Sequence, residues 1–281
     1  MNTASTTTAT THTLDVPGAC LHYELRGDGP LVVLVGAPMD ALSFAPAAEL
    51  LASDRTVLTT DPRGIHRSSV TDRDADSTPE LRADDLARLL VHLDGGPAAV
   101  FGSSGGAVTA LALAQARPEL VHTVIAHEPP LIELLSDRAE LRAGTEDIAT
   151  IGIAGDRVGA WRKFMAQANI TLPDEIFEMM FGAAPEPQQA ADEQFWFARE
   201  FRPSTYWRPD FDVLRNVPTR IVAGIGRDSA GELCERTTAA LANELALEPT
   251  YFAGGHISFV DDPAAFVEDL RQVLSRSETL R

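Results

Sequence analysis

Short apolar runs alternate with helical patterns along most of this 281-residue chain, and the alternation restricts the folds that it can adopt. Residues 30–36 and 97–101 are continuous apolar runs, which is typical of strands that are covered on both faces. Residues 78–80, Thr-Pro-Glu, combine the cap, the proline and the acid that helix starts favour. Strands that alternate with helices predict an α/β fold with a doubly wound, mostly parallel sheet.

The alternation stops between residues 129 and 217, where the sequence is helix-like and rich in aromatic residues. A loop of this length without its own structure is uncommon in a compact domain, so the segment predicts a helical cap, or lid, inserted into the sheet domain. The core domain then comprises residues 14–128 and 218–281. Residues 1–13 lack the basic start and apolar stretch of a secretory signal, and we predict a disordered tail there.

The charge of the chain limits its partners. The formal net charge is −18, whereas nucleic acid binding requires a basic face, and an anionic membrane surface would repel the chain. No apolar run approaches the roughly 20 residues that span a bilayer. Cys20 and Cys234 are far apart and match neither a disulfide framework nor a metal-ligand pair. We therefore predict a cytoplasmic protein that acts on a small-molecule substrate without a cofactor or metal, and the oligomeric state stays open.

Residues 102–106, Gly-Ser-Ser-Gly-Gly, match the G-x-S-x-G pattern between a predicted strand and a helix of small residues. In this context the pattern is typical of a nucleophile elbow, a strained turn that exposes a serine hydroxyl at the carboxyl edge of a sheet. An ordinary polar turn is the alternative interpretation, but it gives no account of the residues that would assist a nucleophile. The pattern predicts Ser104 as the nucleophile.

A serine hydroxyl needs a neighbouring base, and the base needs a carboxylate that fixes its tautomer. His256 follows a glycine pair after the last predicted strand, which places it at the same sheet edge as Ser104. Asp228 follows another predicted strand and stands between nucleophile and histidine in the chain, so we favour it as the acid. Glu128, at the end of an earlier strand, is the alternative acid.

Five segments in order together resemble the α/β-hydrolase superfamily: residues 36–38 (Gly-Ala-Pro), 61–64 (Asp-Pro-Arg-Gly), 102–106, 224–228 and 255–256. The pattern is similar to that of the capped branch, which contains esterases, lactonases, epoxide hydrolases and cofactor-free haloperoxidases. The resemblance implies an α/β-hydrolase fold and an oxyanion hole formed by the backbone N–H groups of Ala37 and Gly105. Because the elbow carries serine, the epoxide hydrolase and haloalkane dehalogenase chemistries, which need an aspartate nucleophile, are disfavoured.

Aromatic residues indicate the kind of substrate. All three tryptophans fall in the predicted cap, and some aromatic side chains there should line a pocket above Ser104. We predict that Trp196, Trp207 and Met39 contact the substrate, together with His66, which stands where the superfamily usually has a glycine. The predicted activity is hydrolysis of an ester or lactone of a medium-sized, largely apolar or aromatic small molecule through an acyl-enzyme.

Three alternatives stay open at the level of sequence. A cofactor-free haloperoxidase or perhydrolase uses the same serine triad with peroxide in place of water. A carbon–carbon bond hydrolase uses the triad next to a carbonyl group. The third alternative is a non-catalytic small-molecule receptor, because a fold alone does not determine function.

Overall fold

Residues 8–279 are described by the computed structural model of the chain, and within them nine strands form one mixed sheet. The strands are β1 (Thr10–Val16), β2 (Ala19–Arg26), β3 (Leu31–Val35), β4 (Thr56–Thr60), β5 (Ser69–Val70), β6 (Ala98–Ser103), β7 (Val121–His127), β8 (Arg220–Gly226) and β9 (Thr250–Phe252). Their order is β1-β2-β4-β3-β6-β7-β8-β9, and β5 pairs with β2. The strands from β4 to β9 in this order pair in parallel, whereas β2 is antiparallel to its neighbours.

Helices cover the sheet and form the segment between β7 and β8. They are α1 (Ala41–Leu51), α2 (Pro79–Leu93), α3 (Gly105–Ala116), α4 (Arg138–Ile153), α5 (Arg157–Ala168), α6 (Asp174–Phe177), α7 (Pro187–Phe195), α8 (Phe201–Tyr206), α9 (Phe211–Asn216), α10 (Leu233–Glu244), α11 (Ser258–Asp261) and α12 (Pro263–Thr279). Within residues 8–279, none of the helices combines the length and the apolar character that crossing a bilayer requires.

The central strands are buried on both faces because helices lie on each side of the sheet. On β3, Val33 belongs to the apolar core beneath α2 and α3, whereas its neighbour Leu34 belongs to the core beneath α1 and α12. Successive strand residues point to opposite faces, so a strand covered on both sides needs an unbroken apolar run. The predicted doubly wound α/β sheet is confirmed.

Helices α4 to α8 form a cap over the carboxyl edge of the parallel strands. The cap has an apolar core of its own, in which Ile148, Trp196, Phe197 and Phe201 are buried. A π-helical turn, Trp196–Glu200, joins α7 to α8, so one nearly continuous helical stretch supplies three of these four side chains. The predicted helical cap insertion is therefore present in the fold.

The last part of the insertion belongs to the core domain in its packing. Trp207 and Leu214 are buried in the same apolar cluster as the residues of α2 and α3, and α9 contacts α3. Burial of these two large side chains against α3 explains why the chain leaves the cap after Tyr206. The cap proper thus ends before residue 217, the predicted boundary.

A buried arginine joins the cap to the core beneath the elbow. Arg82 in α2 donates a hydrogen bond from Nη2 to Ser204 Oγ in α8, at 2.8 Å, and another from Nε to Thr109 Oγ1 in α3, at 3.0 Å. The Thr109 hydroxyl in turn donates to the carbonyl oxygen of Gly105 at 3.1 Å. This chain of hydrogen bonds fixes α8 relative to the first turn of α3.

The amino-terminal segment departs from its prediction. Residues 1–7 lie outside the described residues, but Thr10 begins β1, which pairs with β2 over its whole length, from Thr10 with Leu25 to Val16 with Ala19. The expectation of a disordered tail is therefore wrong for residues 10–13. β-Branched threonine favours strands, and here the antiparallel partner satisfies the backbone.

Candidate active site

Five loops meet at the carboxyl edge of the parallel strands. Ala37 follows β3, Ser104 follows β6, Glu128 follows β7, Asp228 follows β8 and His256 follows β9. Because β6 lies between β3 and β7, the strand that presents Ser104 is flanked by the strands that present Ala37 and Glu128. The carboxyl edge is where open α/β sheets bind their ligands.

Ser104 stands in a strained turn between β6 and α3. Its φ is 56° and its ψ is −124°, and its backbone N–H donates a hydrogen bond to the carbonyl oxygen of His127 at 2.9 Å. A Cβ atom at Gly102 would lie 2.3 Å from the carbonyl oxygen of Gly106, and one at Gly106 would lie 2.2 Å from that of Val35. Glycine is required at both positions, as the elbow pattern predicts.

The predicted oxyanion-hole residues lie on both sides of Ser104. Gly105 is the first residue of α3, and a backbone N–H in the first turn of a helix has no partner within that helix. Ala37 approaches so closely that a Cβ atom on Gly105 would lie 2.5 Å from the Ala37 carbonyl oxygen. Both residues line one pocket together with Ser104 and His256.

His256 pairs with the carboxylate of Glu128. The distance between His256 Nδ1 and Glu128 Oε2 is 2.6 Å, and Glu128 Oε1 accepts a hydrogen bond from the Gly226 backbone N–H at 2.8 Å. Glu128 is completely buried. Burial acts to raise the pKa of Glu128, but the hydrogen bond from His256 and the neighbouring His127 outweigh it and lower the pKa to about 2. Glu128 is therefore a carboxylate at neutral pH.

Asp228, the acid that the sequence favours, lies elsewhere. Its side chain is exposed, and its backbone N–H donates to the carbonyl oxygen of Gly254 at 3.0 Å, which continues the pairing of β8 with β9. The preference for Asp228 is therefore wrong, because the acid that contacts His256 is Glu128. Glu128 follows the strand that lies between those of Ser104 and Asp228, and its φ of 52° accompanies the turn that starts there.

His127 is a residue that the sequence did not single out. It ends β7, is completely buried, and packs its ring 5.5 Å from the rings of both Phe101 and Phe252, measured between centroids. Burial lowers the pKa of His127 to about 4, so the ring is neutral near pH 7. Its Nδ1 lies 3.4 Å from Ser103 Oγ, which links the last residues of β6 and β7 below Ser104. The only sequence signal for this role is its place at the end of an apolar run.

The pocket above Ser104 lies between the core domain and the cap. Its lining is mainly apolar, with Phe164, Trp196, Phe201 and Leu233 facing the sheet edge. The full lining is Ala37, Ser104, Gly105, Pro130, Phe164, Gln167, Ala168, Ile170, Trp196, Phe201, Ser204, Thr205, Glu232, Leu233, Cys234 and His256. An apolar pocket with a few polar groups is typical of sites for small organic molecules.

The structure brings only one of the four predicted substrate contacts, Trp196, into this pocket. Trp207 lies in the core, where its Nε1 donates a hydrogen bond to Glu80 Oε1 at 2.7 Å. Met39 lines a neighbouring groove on another side of Trp196. His66 places Nδ1 2.9 Å from Asp40 Oδ2, away from the residues that line the pocket. The expectations for Trp207, Met39 and His66 are therefore corrected.

Asp40, Asp61 and His66 are the described residues whose ligand atoms come within 4.8 Å of one another, as a metal site would require. The carboxylate of Asp61 already accepts hydrogen bonds from the Ala41 backbone N–H and from the guanidinium of Arg67, at 2.9 and 2.8 Å. A guanidinium on the same carboxylate disfavours a second cation. The cluster is better described as an ion-pair network that orders the loops after β3 and β4.

A family profile described as the alpha/beta hydrolase fold matches residues 29–169. The uncharacterized hydrolase YraK of Bacillus subtilis is 31% identical over 279 residues, which cover 95% of this chain and 96% of that protein. A zearalenone hydrolase of Bionectria ochroleuca is 32% identical over 151 residues, covering 50% of this chain and 56% of that protein.

Solved structures of other proteins are similar to this chain in fold. A thermophilic esterase from Thermogutta terrifontis superimposes with a TM-score of 0.71 at 21% identity, covering 96% of this chain and 99% of that chain. A putative epoxide hydrolase from Pseudomonas aeruginosa gives a TM-score of 0.68 at 20% identity, covering 97% and 98% of the two chains. On the profile match and the full-length relative, this chain belongs to the α/β-hydrolase fold family and is a hydrolase.

Proposed function

We propose that the chain is a serine carboxylic-ester hydrolase that cleaves an ester or lactone of a medium-sized, largely apolar or aromatic small molecule. The observation that carries the proposal is the 2.6 Å contact between His256 Nδ1 and the buried Glu128 carboxylate, beside the pocket that Ser104 and His256 line together. A carboxylate at Nδ1 keeps a proton on that nitrogen, which leaves Nε2 able to accept the proton of a serine hydroxyl.

The proposed reaction has two steps that share one base. His256 takes the proton of Ser104 as Oγ attacks the substrate carbonyl, and the backbone N–H groups of Ala37 and Gly105 stabilise the resulting oxyanion. The tetrahedral intermediate collapses, the C–O bond to the leaving group breaks, and His256 returns the proton to the departing alkoxide. Water then attacks the acyl-enzyme with His256 again as base, and Ser104 is released with its proton restored. Glu128 stabilises the imidazolium in both steps.

The pocket supports an apolar acyl or aryl group. Phe164, Trp196 and Phe201 come from the cap and face Ser104 across the pocket. Apolar contact favours substrates that bury more carbon, at about 0.8 kcal/mol for each buried methylene group. The cap also shields the site from water, which strengthens the electrostatic contribution of the oxyanion hole. We therefore expect acetate esters to be poorer substrates than longer acyl or aryl esters.

The identity of the nucleophile separates this proposal from epoxide hydrolysis. An epoxide hydrolase of this fold forms an ester on an elbow aspartate, and the elbow here carries Ser104 with a glycine on its carboxyl side. An ester substrate with a carbonyl carbon fits a hydroxyl nucleophile and an adjacent oxyanion hole. The esterase and zearalenone hydrolase among the similar proteins are consistent with this choice.

The test is a panel of 4-nitrophenyl esters from acetate to phenylpropanoate, together with aromatic lactones, assayed with and without hydrogen peroxide. We expect kcat/KM to rise with acyl size, with no dependence on peroxide. Turnover that requires peroxide would support a perhydrolase or haloperoxidase. Absence of turnover, with binding of the same compounds, would support a receptor.

The matched control variants are Ser104→Ala and Ser103→Ala. Ser104→Ala should lose turnover by several orders of magnitude and lose labelling by a fluorophosphonate probe, with an unchanged circular dichroism spectrum. Ser103 is completely buried at the end of β6, so Ser103→Ala should still be labelled. Labelling that survives in Ser104→Ala would assign the nucleophile to another residue.

A further inference from the structure

One acid that lines the pocket has no part in the proposed catalytic steps. Glu232 lies immediately before α10 and shares the pocket with Ser104 and His256. The next two residues, Leu233 and Cys234, also line the pocket, so the start of this helix faces the substrate space. The side chain of Glu232 is half-buried. Its position therefore lets it contact whatever fills the pocket.

The carboxylate of Glu232 does not cap the helix that it precedes. Glu232 occupies the N-cap position of α10, but its side chain makes no hydrogen bond to the first turn of that helix. Burial and the neighbouring Glu128 carboxylate raise the pKa of Glu232, whereas His256 acts in the opposite direction. Within the described residues no hydrogen-bond donor lowers the pKa of Glu232. A half-buried carboxylate without a donor from the protein is free to accept a hydrogen bond from a molecule in the pocket.

The other polar side chains of the pocket differ from Glu232 because protein groups engage them. Ser204 accepts a hydrogen bond from the buried Arg82. Thr205 donates to a carbonyl of its own helical stretch, and Gln167 donates from Nε2 to a threonine of α4. Apart from the proposed nucleophile and base, Glu232 is thus the strongest hydrogen-bond acceptor that these lining residues offer to a ligand.

We infer that Glu232 is a specificity-determining residue that accepts a hydrogen bond from a hydroxyl or ammonium group of the substrate. The inference rests on the proposed esterase function and narrows its substrate class to apolar or aromatic esters or lactones that carry one such donor. No arginine or lysine occurs among the described residues that line the pocket. A substrate carboxylate would therefore meet Glu232 without a counter-charge, and the pocket disfavours it.

The test uses benzyl 3-phenylpropanoate and two series of derivatives, one substituted on the acyl ring and one on the benzyl ring. Each series carries a 4-hydroxy, 4-aminomethyl or 4-carboxy group, and product release is followed by liquid chromatography. In one of the two series we expect the hydroxy and aminomethyl esters to exceed the parent in kcat/KM by about tenfold or more, as charged hydrogen bonds do. The carboxy ester of that series should fall below the parent.

Glu232→Gln keeps the size of the side chain and removes its charge. The ratio of kcat/KM for the aminomethyl ester over the carboxy ester should fall by at least tenfold in this variant. Glu235→Gln is the matched control, because Glu235 lies in the first turn of the same helix and outside the pocket lining. Its ratios should equal those of the wild type. Equal ratios in Glu232→Gln and wild type would overturn the inference while the esterase proposal stands.

A binding measurement keeps the two proposals separable. Calorimetry of Ser104→Ala with the corresponding benzyl amides measures the donor preference without any turnover. We expect Ser104→Ala to bind the aminomethyl amide more tightly than the parent amide, and Ser104→Ala/Glu232→Gln to lose this preference. That result supports the inference even where wild type hydrolyses no ester. Equal dissociation constants for parent, donor-bearing and carboxy amides in both ring series would refute it.

Discussion

The Glu128→Gln substitution separates the two acids that the sequence offers for the triad. Glutamine keeps the size of the side chain and an oxygen that can accept the hydrogen bond from the Gly226 N–H. Its amide NH₂ then faces His256 Nδ1, which must become the acceptor. The imidazole proton moves to Nε2, and the ring no longer accepts a proton from Ser104.

The size of the effect follows from the pKa of Glu128. That pKa is lowered from an ordinary 4.5 to about 2 although the group is buried, which corresponds to roughly 3 kcal/mol of net stabilisation of the charged form. Glutamine carries no charge to stabilise the imidazolium that forms as Ser104 attacks, so the rate falls. The wrong tautomer adds to the loss, and we expect kcat to fall by about 10⁴-fold with KM little changed.

The assay is the initial rate with a 4-nitrophenyl ester at saturating concentration, with circular dichroism as the check on folding. Asp228→Asn is the comparison, because the exposed Asp228 side chain should change kcat by less than about twofold. Glu128→Gln combined with His256→Ala should cost little more than His256→Ala alone, because triad members act as a unit. A larger loss in Asp228→Asn than in Glu128→Gln would refute the assignment, and additive losses would refute the triad.

Three further predictions follow from the same structure. Arg63 and Asp85 form a buried ion pair with Nε 2.7 Å from Oδ2, so Arg63→Met should lower the free energy of unfolding by about 3–5 kcal/mol in urea titrations. Trp196→Ala should raise KM for bulky esters more than for acetate esters, whereas Trp207→Ala should leave that preference unchanged and destabilise the fold by about 3–5 kcal/mol. The folded-state pKa of Glu128 is about 2 and its ordinary value is 4.5. Its contribution to stability is therefore present above pH 4.5 and is lost as the pH falls toward 2. The difference in unfolding free energy between wild type and Glu128→Gln should shrink over that range.

Local features of the chain predict the elements that carry the site. The apolar run over residues 30–36 contains β3, and the helix start predicted at residues 78–80 is the start of α2 at Pro79. Ser104 and His256 were predicted from glycine-rich turns that follow apolar runs, and both line the pocket. These signals succeed because a buried strand, a helix cap and a strained turn each impose their residues within a few positions.

The acid could not be predicted in this way, because it depends on the order of strands in space. Glu128 and Asp228 both follow strands, and chain order alone favours Asp228. What decides between them is that β7 lies next to β6 and that Glu128 turns inward to bond His256 and Gly226. Trp207 fails for a related reason: its aromatic character predicts burial, but not whether the cap or the core buries it.

The glycines of the elbow also determine which mutations the protein can recover from. A methyl group at Gly102 would clash with the backbone carbonyl of Gly106, and no replacement of another side chain can relieve a clash with the backbone. Gly152 in the cap differs, because the three atoms nearest to a methyl group there all belong to the ring of Phe197, the first at 2.5 Å. In a genetic selection, Gly152→Ala should therefore yield second-site revertants that shorten Phe197, whereas Gly102→Ala should return to function only by reversion to glycine.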